Sequence, residues 1–344
     1  MEKFSINKLN AIITETLIVN GVCPEQAKII SDCMIMADAC GVHSHGLNVL
    51  PAYIKKIENK SFNVSGNPLI IKETSAFTLL DSNNLIGMYS AWFCMGIAIK
   101  KCQENGIHYV SSRNCNTFGP AFYYTRYAAE RGMIGICFSN SPSAMPAWGG
   151  KKKILGTNPF SVAIPSKTKG IIILDMASSI VAKSKINELR KEGKEIPQGW
   201  ALDAKGNPTT NASEAIDGMI LPMAEHKGYA ISMMIDVLAG LLSGAGFLNN
   251  INRFYTDKNV GMNVGHTFIA INPNVIYDGD FYDAVDKYIE EIHSSGDNVL
   301  FPGERKNNNY TRSQTTGVEL SNETINELKK IICDFERRAL IWED

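Results

Sequence analysis

Polar and apolar positions at the start of the chain follow a helical period. Ser5 stands where an N-cap belongs, and the pattern predicts a helix from there to about Asn20, stopped by Gly21. Pro24 opens a second helix carrying Ile29, Ile30, Cys33, Met34 and Ala37, ending near Gly41. A third is expected from about Ser44–His45, with Leu47, Leu50, Tyr53 and Ile54 at helical spacing, although Pro51 could equally mark its first turn. Beyond Gly66 helices and strands alternate. Strands are predicted at 77–80, 107–111, 133–139, 161–164, 171–174 and 268–271. Helices are predicted at 86–103, 121–131, 178–191, 229–242, 280–293 and 322–338. The Pro-, Gly- and Thr-rich stretch 196–215 reads as a long irregular connection, and the polar stretch 307–314 as a mobile one. The fold class is α/β behind a helical N-terminal segment.

Composition narrows the class. The 344 residues carry 34 Lys+Arg against 35 Asp+Glu, a balance without the basic excess of a nucleic-acid binder. Apolar runs such as 171–174 and 237–242 fall far short of a membrane span, and Met1–Ser5 leads straight into the helical pattern without the apolar core of a signal peptide. A cytoplasmic protein without membrane or nucleic-acid partners is expected. The eight cysteines (23, 33, 40, 94, 102, 115, 137 and 333) show no CxxC spacing and read as reduced.

The common nucleotide and hydrolase signatures are missing. No GxGxxG follows a strand, since Gly244-Ala245-Gly246 comes after a helix and lacks the third glycine; no P-loop or GxSxG occurs. The unusual segment is Gly41-Val42-His43-Ser44-His45-Gly46, two imidazoles and a hydroxyl between glycines. Three readings stay open for it: an acid/base histidine facing a cleft, a helix cap with surface histidines, or two ligands of a metal. Four further clusters suit close backbone approach: Trp148-Gly149-Gly150, Leu155-Gly156-Thr157-Asn158-Pro159, Leu174 to Ser179, and His226-Lys227-Gly228. The third reads as a strand end opening a helix, with Lys183 and Lys185 one to two turns on, which favours an anion. Together they suggest an atypical dinucleotide site.

These segments, with Met145 to Gly150, Pro197 to Asp203, Pro208-Thr209-Thr210 and Phe301-Pro302-Gly303-Glu304-Arg305, resemble the malate/L-lactate/L-sulfolactate dehydrogenase family from about Lys3 to Ile341. The resemblance implies a non-Rossmann NAD(P)-binding fold of the L-sulfolactate dehydrogenase-like type, a homodimer, and NAD(P)H as cofactor with NAD slightly preferred. It implies an N-terminal helical segment 1–66 on which a C-terminal helix 322–344 packs, a substrate and dimer part 67–150, an NAD(P)-binding part 151–306, and a tail and helix 307–344. His45 would be the acid/base, with Ser44 and Tyr53 lining the substrate pocket. Ser141, Thr157, Asn158, Asp175, Met176, Ala177, Lys185, His226, Lys227, Gly303, Glu304 and Arg305 would hold the dinucleotide, with no metal. The implied reaction is hydride transfer to or from a carbonyl, hydroxy or imino acid, His45 exchanging the proton.

Two positions depart from the family pattern. Many members carry an arginine four residues after the SHG histidine, where this chain has Val49 beside Asn48. Members also commonly carry Asn-x-x-His-Phe-Gly, where Asn114 to Gly119 puts Thr117 at the histidine, itself a catalytic position. Losing a charged fork removes about 1.5–3 kcal/mol per hydrogen bond, roughly tenfold to a hundredfold in binding. A substrate other than simple lactate or malate is expected, its carboxylate held elsewhere, with Asn48 and Arg113 as candidate contacts. The alternatives are a dinucleotide-binding member without catalysis, and a metal-dependent hydro-lyase or hydrolase using His43 and His45.

Overall fold

The computed structural model describes residues 3–257 and 259–332. Helix α1 (Ile6–Val19) begins where expected: the Ser5 hydroxyl accepts the Lys8 N–H at 3.4 Å. Its apolar residues Leu9, Ile12, Ile13 and Leu17, at i, i+3, i+4 and i+8, are buried against Ala27, Ile30 and Met34 of α2 (Pro24–Ala39). The third helix is later than expected. Residues 43–45 and 47–49 form two tight turns around an extended Gly46, and α3 (Leu50–Glu58) starts with Pro51 in its first turn. Proline lacks the N–H that the interior of a helix requires, so the helix cannot run continuously from Ser44 through Pro51 with its bonds intact.

A seven-stranded mixed sheet follows, made of β1 (Leu69–Glu73), β2 (Phe77–Asp81), β3 (Ile107–Cys115), β4 (Ile134–Ser139), β5 (Phe160–Pro165), β6 (Ile171–Met176) and β7 (Val264–Ile271). Its order is β1-β2-β3-β7-β4-β5-β6. Only β2 and β3 pair in parallel, because α4 (Gly87–Asn105) crosses between them. The central β7 enters last and pairs antiparallel on both sides. Its register slips at Gly265, where a Cβ would sit 1.7 Å from the Ala239 carbonyl oxygen. Strand β1, an edge that carries no buried residue, is not among the predicted strands.

Helix α5 (Ala121–Ala129) packs on β4 and β5. The helix expected from Ser178 starts at Lys183 instead: α6 (Lys183–Lys191) follows a non-helical 177–182, so the Asp175–Ala177 strand end does not open a helix. The expected irregular connection 196–215 is a small lobe. Three two-residue strands (Ala201–Leu202, Pro208–Thr209, Met219–Ile220) and α7 (Ala212–Asp217) enclose Ile186, Ile196, Ala201, Ala212, Ala215 and Ile220. Helix α8 (His226–Ile235) passes into a wide π turn at Asp236–Leu241, and α9 (Phe281–Ser294) lies as expected.

The stretch 307–314, expected to be mobile, is the body of α10 (Glu304–Thr316). Its polar side chains are turned inward as backbone partners. Asn307 donates to Ile171 O at 2.8 Å, Asn309 to Cys40 O at 3.3 Å and Ser313 to Ala39 O at 3.1 Å. Helix α11 (Asn322–Ile331) packs on α3 and the 47–49 turn, and the predicted extension to Arg338 lies outside the described residues. Seven cysteines are free, while Cys333 lies outside the described residues. No described helix is long and apolar enough to cross a membrane.

Candidate active site

The Gly41–Gly46 segment is organised by Asp38, a buried carboxylate in the last turn of α2. Its Oδ2 accepts the Leu47 N–H at 2.7 Å, and its Oδ1 meets His43 Nδ1 at 2.8 Å. Burial pushes the Asp38 carboxyl up, and these two contacts pull it back. A Cβ on Gly46 would lie 2.1 Å from Oδ1, so the turn closes over the carboxylate only with glycine. The two histidines separate as a result. His43 lines a polar cavity of about 250 Å3 with Asn309, Arg312 and Glu319. His45 lines a second cavity of about 650 Å3.

Among the described residues lining the larger cavity, His45 is the one imidazole. Ser44 Oγ lies 2.9 Å from His45 Nδ1, which leaves Nε2 without a described partner and available for proton exchange. The ring is open to the cavity, but the protein around it lowers its pKa by desolvation; nearby Asp175 opposes the shift and Lys306 adds to it. Lys306 Nζ is itself 2.8 Å from Asp175 Oδ2.

Polar clamps position the remaining walls. Asn116 Nδ2 donates to Asn84 Oδ1 at 3.0 Å and Leu85 O at 2.9 Å, and its Oδ1 accepts the Met262 N–H at 2.8 Å, fixing the loop that presents Thr117. Tyr53, whose phenol burial pushes far up, donates to Thr117 O at 3.3 Å. Asn158 accepts the Ser141 N–H at 2.9 Å and donates to Ser232 O at 2.8 Å, tying Ser141 to α8. Ser178 donates twice to Thr157 O, from its N–H and its hydroxyl, each at 2.8 Å. The β6 end with Asp175 is thereby held against the same cavity.

The structure brings Ser44, His45, Tyr53, Thr117, Ser141, Thr157, Asp175, Met176 and Ala177 to one cavity, with Val49 among them. Other expected residues lie elsewhere. Asn48 is exposed outside the cavity, and Arg113 is drawn across the parallel strand pair to Asp81 at 3.3 Å, so neither reaches a substrate there. Lys185 pairs with Glu188 at 2.8 Å, and its neighbour Lys183 lines the cavity instead. His226 and Lys227 are exposed at the start of α8, His226 edge-on to Trp148 at 6.4 Å. Gly303 packs on Ile173, Glu304 binds His293 at 2.8 Å and Arg305 is exposed, while Lys306, one residue further, reaches Asp175. Sequence reasoning missed Lys306 because α10 was read as a loop without a face. It also missed Arg253, which lies in a cavity-lining loop with no periodicity.

The donor set fits a dinucleotide. Serine and threonine hydroxyls (141, 143, 157, 179, 184), the Asp175 carboxylate and the Lys183 ammonium suit ribose and phosphate groups, while Val49, Met88 and Met262 make another part of the lining apolar.

Comparison with known proteins agrees. The sequence model of malate/L-lactate dehydrogenase matches residues 4–329. The malate/(S)-sulfolactate dehydrogenase of Methanothermus fervidus is 38% identical over 322 residues, 93% of this chain and 94% of that protein. The NAD(+) ureidoglycolate dehydrogenase of Escherichia coli K12 is 30% identical over 324 residues, 92% of each. The sulfolactate dehydrogenase structure from Methanocaldococcus jannaschii superposes with a TM-score of 0.88 at 34% identity, covering 96% of both chains. The chain belongs to the malate/L-lactate dehydrogenase family of NAD- or NADP-dependent oxidoreductases.

Proposed function

We propose that the protein transfers a hydride between a nicotinamide dinucleotide, NAD in preference to NADP, and a small 2-hydroxy, 2-oxo or imino acid, with His45 as the proton-exchanging group. The observation that carries this reading is a lone imidazole, braced by Ser44, on the wall of a cavity whose other walls bear the Asp175 carboxylate, the Ser141 hydroxyl and the Lys183 ammonium. The dinucleotide, when bound, supplies or accepts the hydride. In the tautomer that carries its proton on Nδ1, His45 donates to Ser44 Oγ, and Nε2 is then the nitrogen that exchanges the proton. Desolvation keeps the resting ring neutral, the state that takes a proton from a hydroxy acid. Thr117 and Tyr53 wall the substrate half. The residues proposed to hold the dinucleotide are Ser141, Thr157, Asp175, Met176, Ala177 and Lys183, with Asn158 fixing Ser141.

Val49 places no cation where a simple 2-hydroxy acid would be gripped, so the reading favours a substrate other than lactate or malate. A binding-only role is not favoured, since the relatives are named dehydrogenases and the hydroxyl–imidazole contact of Ser44 and His45 is present at the cavity. His43 and His45 face different cavities, and among the described residues no group of three His, Cys, Asp or Glu could hold a metal, so a two-histidine metal site has no support. A homodimer fits the exposed apolar face of Met234, Leu238, Leu241 and Leu242, 39–60% accessible along one helical stripe.

His45→Ala is expected to lower kcat by roughly 10²–10⁴-fold with the reduced-coenzyme dissociation constant unchanged; retained kcat contradicts the proton role. The lowered His45 pKa implies that oxidation proceeds with the neutral ring and is lost only as pH falls through that pKa, below the ordinary imidazole value. Lys306→Met removes a nearby positive charge and frees the Asp175 carboxylate. Both effects raise the His45 pKa, so the acid limb of the kcat/KM profile for oxidation should move to higher pH. A stationary limb would separate His45 from that pair. Robust turnover of lactate or malate would contradict the specificity assigned to Val49, and light scattering should give twice the chain mass.

A further inference from the structure

The cavity that holds His45 has a cationic wall with no part in the proton transfer. Arg253 belongs to the segment 251–257, which together with 259–263 is pinned from several sides. Asn252 N–H donates to Met262 O at 3.0 Å, Arg253 N–H to Asp257 Oδ2 at 2.6 Å, and Lys56 Nζ to Asp257 O at 2.5 Å. Phe254 packs on the Tyr53 ring with centroids 5.1 Å apart. At the loop's far end the Met262 sulfur accepts the Thr117 N–H at 3.3 Å. The loop thereby sets Phe254 on Tyr53 and Met262 on Thr117, and places Arg253 on the lining of the same cavity near Lys183.

The Arg253 side chain is exposed and, among the described residues, makes no hydrogen bond or ion pair; the Asp257 carboxylate, which accepts the Arg253 N–H and the Thr256 hydroxyl, attracts it only from a distance. Lys183 lines the same cavity. Burial and then the nearby Arg253 charge push its ammonium pKa down, with Asp217 opposing. Two cations at one cavity without a carboxylate bridging them make a site for an anion. Val49, Met88 and Met262 form an uncharged wall of the same space, where a second charge would be desolvated without a partner.

Resting on the oxidoreductase reading above, we propose that Arg253 grips the carboxylate of the substrate, with Lys183 left to the dinucleotide. The substrate is then a 2-oxo or 2-hydroxy monocarboxylate whose apolar side chain, larger than methyl, lies on Val49, Met88 and Met262. The fork that many relatives set four residues after the SHG histidine is supplied here from the segment 251–257.

The test uses the intact protein, Arg253→Gln and Arg253→Lys. Reduced-coenzyme affinity is read by fluorescence titration, and oxamate affinity by calorimetry in saturating coenzyme. The ratio of kcat/KM for 2-oxo-4-methylpentanoate over oxaloacetate is measured on the unsubstituted protein. Arg253→Gln is expected to keep the coenzyme affinity and weaken oxamate roughly tenfold to a hundredfold, with part of the loss recovered in Arg253→Lys. The branched acid is expected to be preferred over oxaloacetate. Unchanged oxamate binding in Arg253→Gln, no oxamate binding by the unsubstituted protein, or a preference for oxaloacetate would each overturn the proposal. So would a loss of coenzyme affinity in Arg253→Gln, which would make the arginine a phosphate grip. Failure of the unsubstituted protein to bind either reduced coenzyme would instead refute the oxidoreductase reading on which the proposal rests.

Discussion

A carboxylate removed from water must find donors or return to the surface. Asp38 finds its donors by bending the chain back over itself. The Leu47 N–H and the His43 ring close on it, and Gly46 leaves the space that lets them. This constraint fixes which way each histidine faces. His43 is held by Asp38, while His45, two residues on, is carried to the other side of the turn beside the hydroxyl of Ser44. The chemistry proposed for the protein depends on that division, since an imidazole on a freely moving turn would have neither a fixed tautomer nor a fixed direction.

A second constraint joins distant parts of the chain. Asp175 ends strand β6 at the cavity, and Lys306 reaches it from the first turn of α10, 131 residues later. Their opposite effects on His45 set the group's titration between the pull of a carboxylate and the push of burial and an ammonium. The polar face of α10 serves the same end. Asn307, Asn309 and Ser313 bond backbone carbonyls of β6 and α2, so the helix that delivers Lys306 is fastened to the two elements that carry Asp175 and Asp38.

Much of the architecture is legible in the sequence. The Ser5 cap, Pro24, the buried α4 and six of the seven strands of the sheet follow from period and punctuation, because burial on one face leaves a regular trace. Where side chains serve backbone groups, the trace vanishes. Helix α10 looks like a loop because its buried partners are asparagine and serine, and the lobe from Ile186 to Ile220 looks irregular because its strands are two residues long. Ser44, His45 and Thr117 can be located from motif and resemblance, since each lies in a short segment, 41–46 or 114–119, that is read locally. Arg253 cannot: its place at the cavity depends on how Phe254 and Met262 pack on Tyr53 and Thr117, and no short-range pattern encodes that. Arg113 misleads for the converse reason, since a cation close in sequence to Thr117 is claimed by Asp81 across the parallel strand pair.

The position of the nicotinamide ring is the point on which all of this turns. A crystal structure of the protein with reduced coenzyme measures it directly. The account predicts the ring in the larger cavity, its reactive carbon facing the space between His45 and Thr117. A dinucleotide seated in the smaller cavity beside His43, or bound with its adenine end at His45, would contradict it.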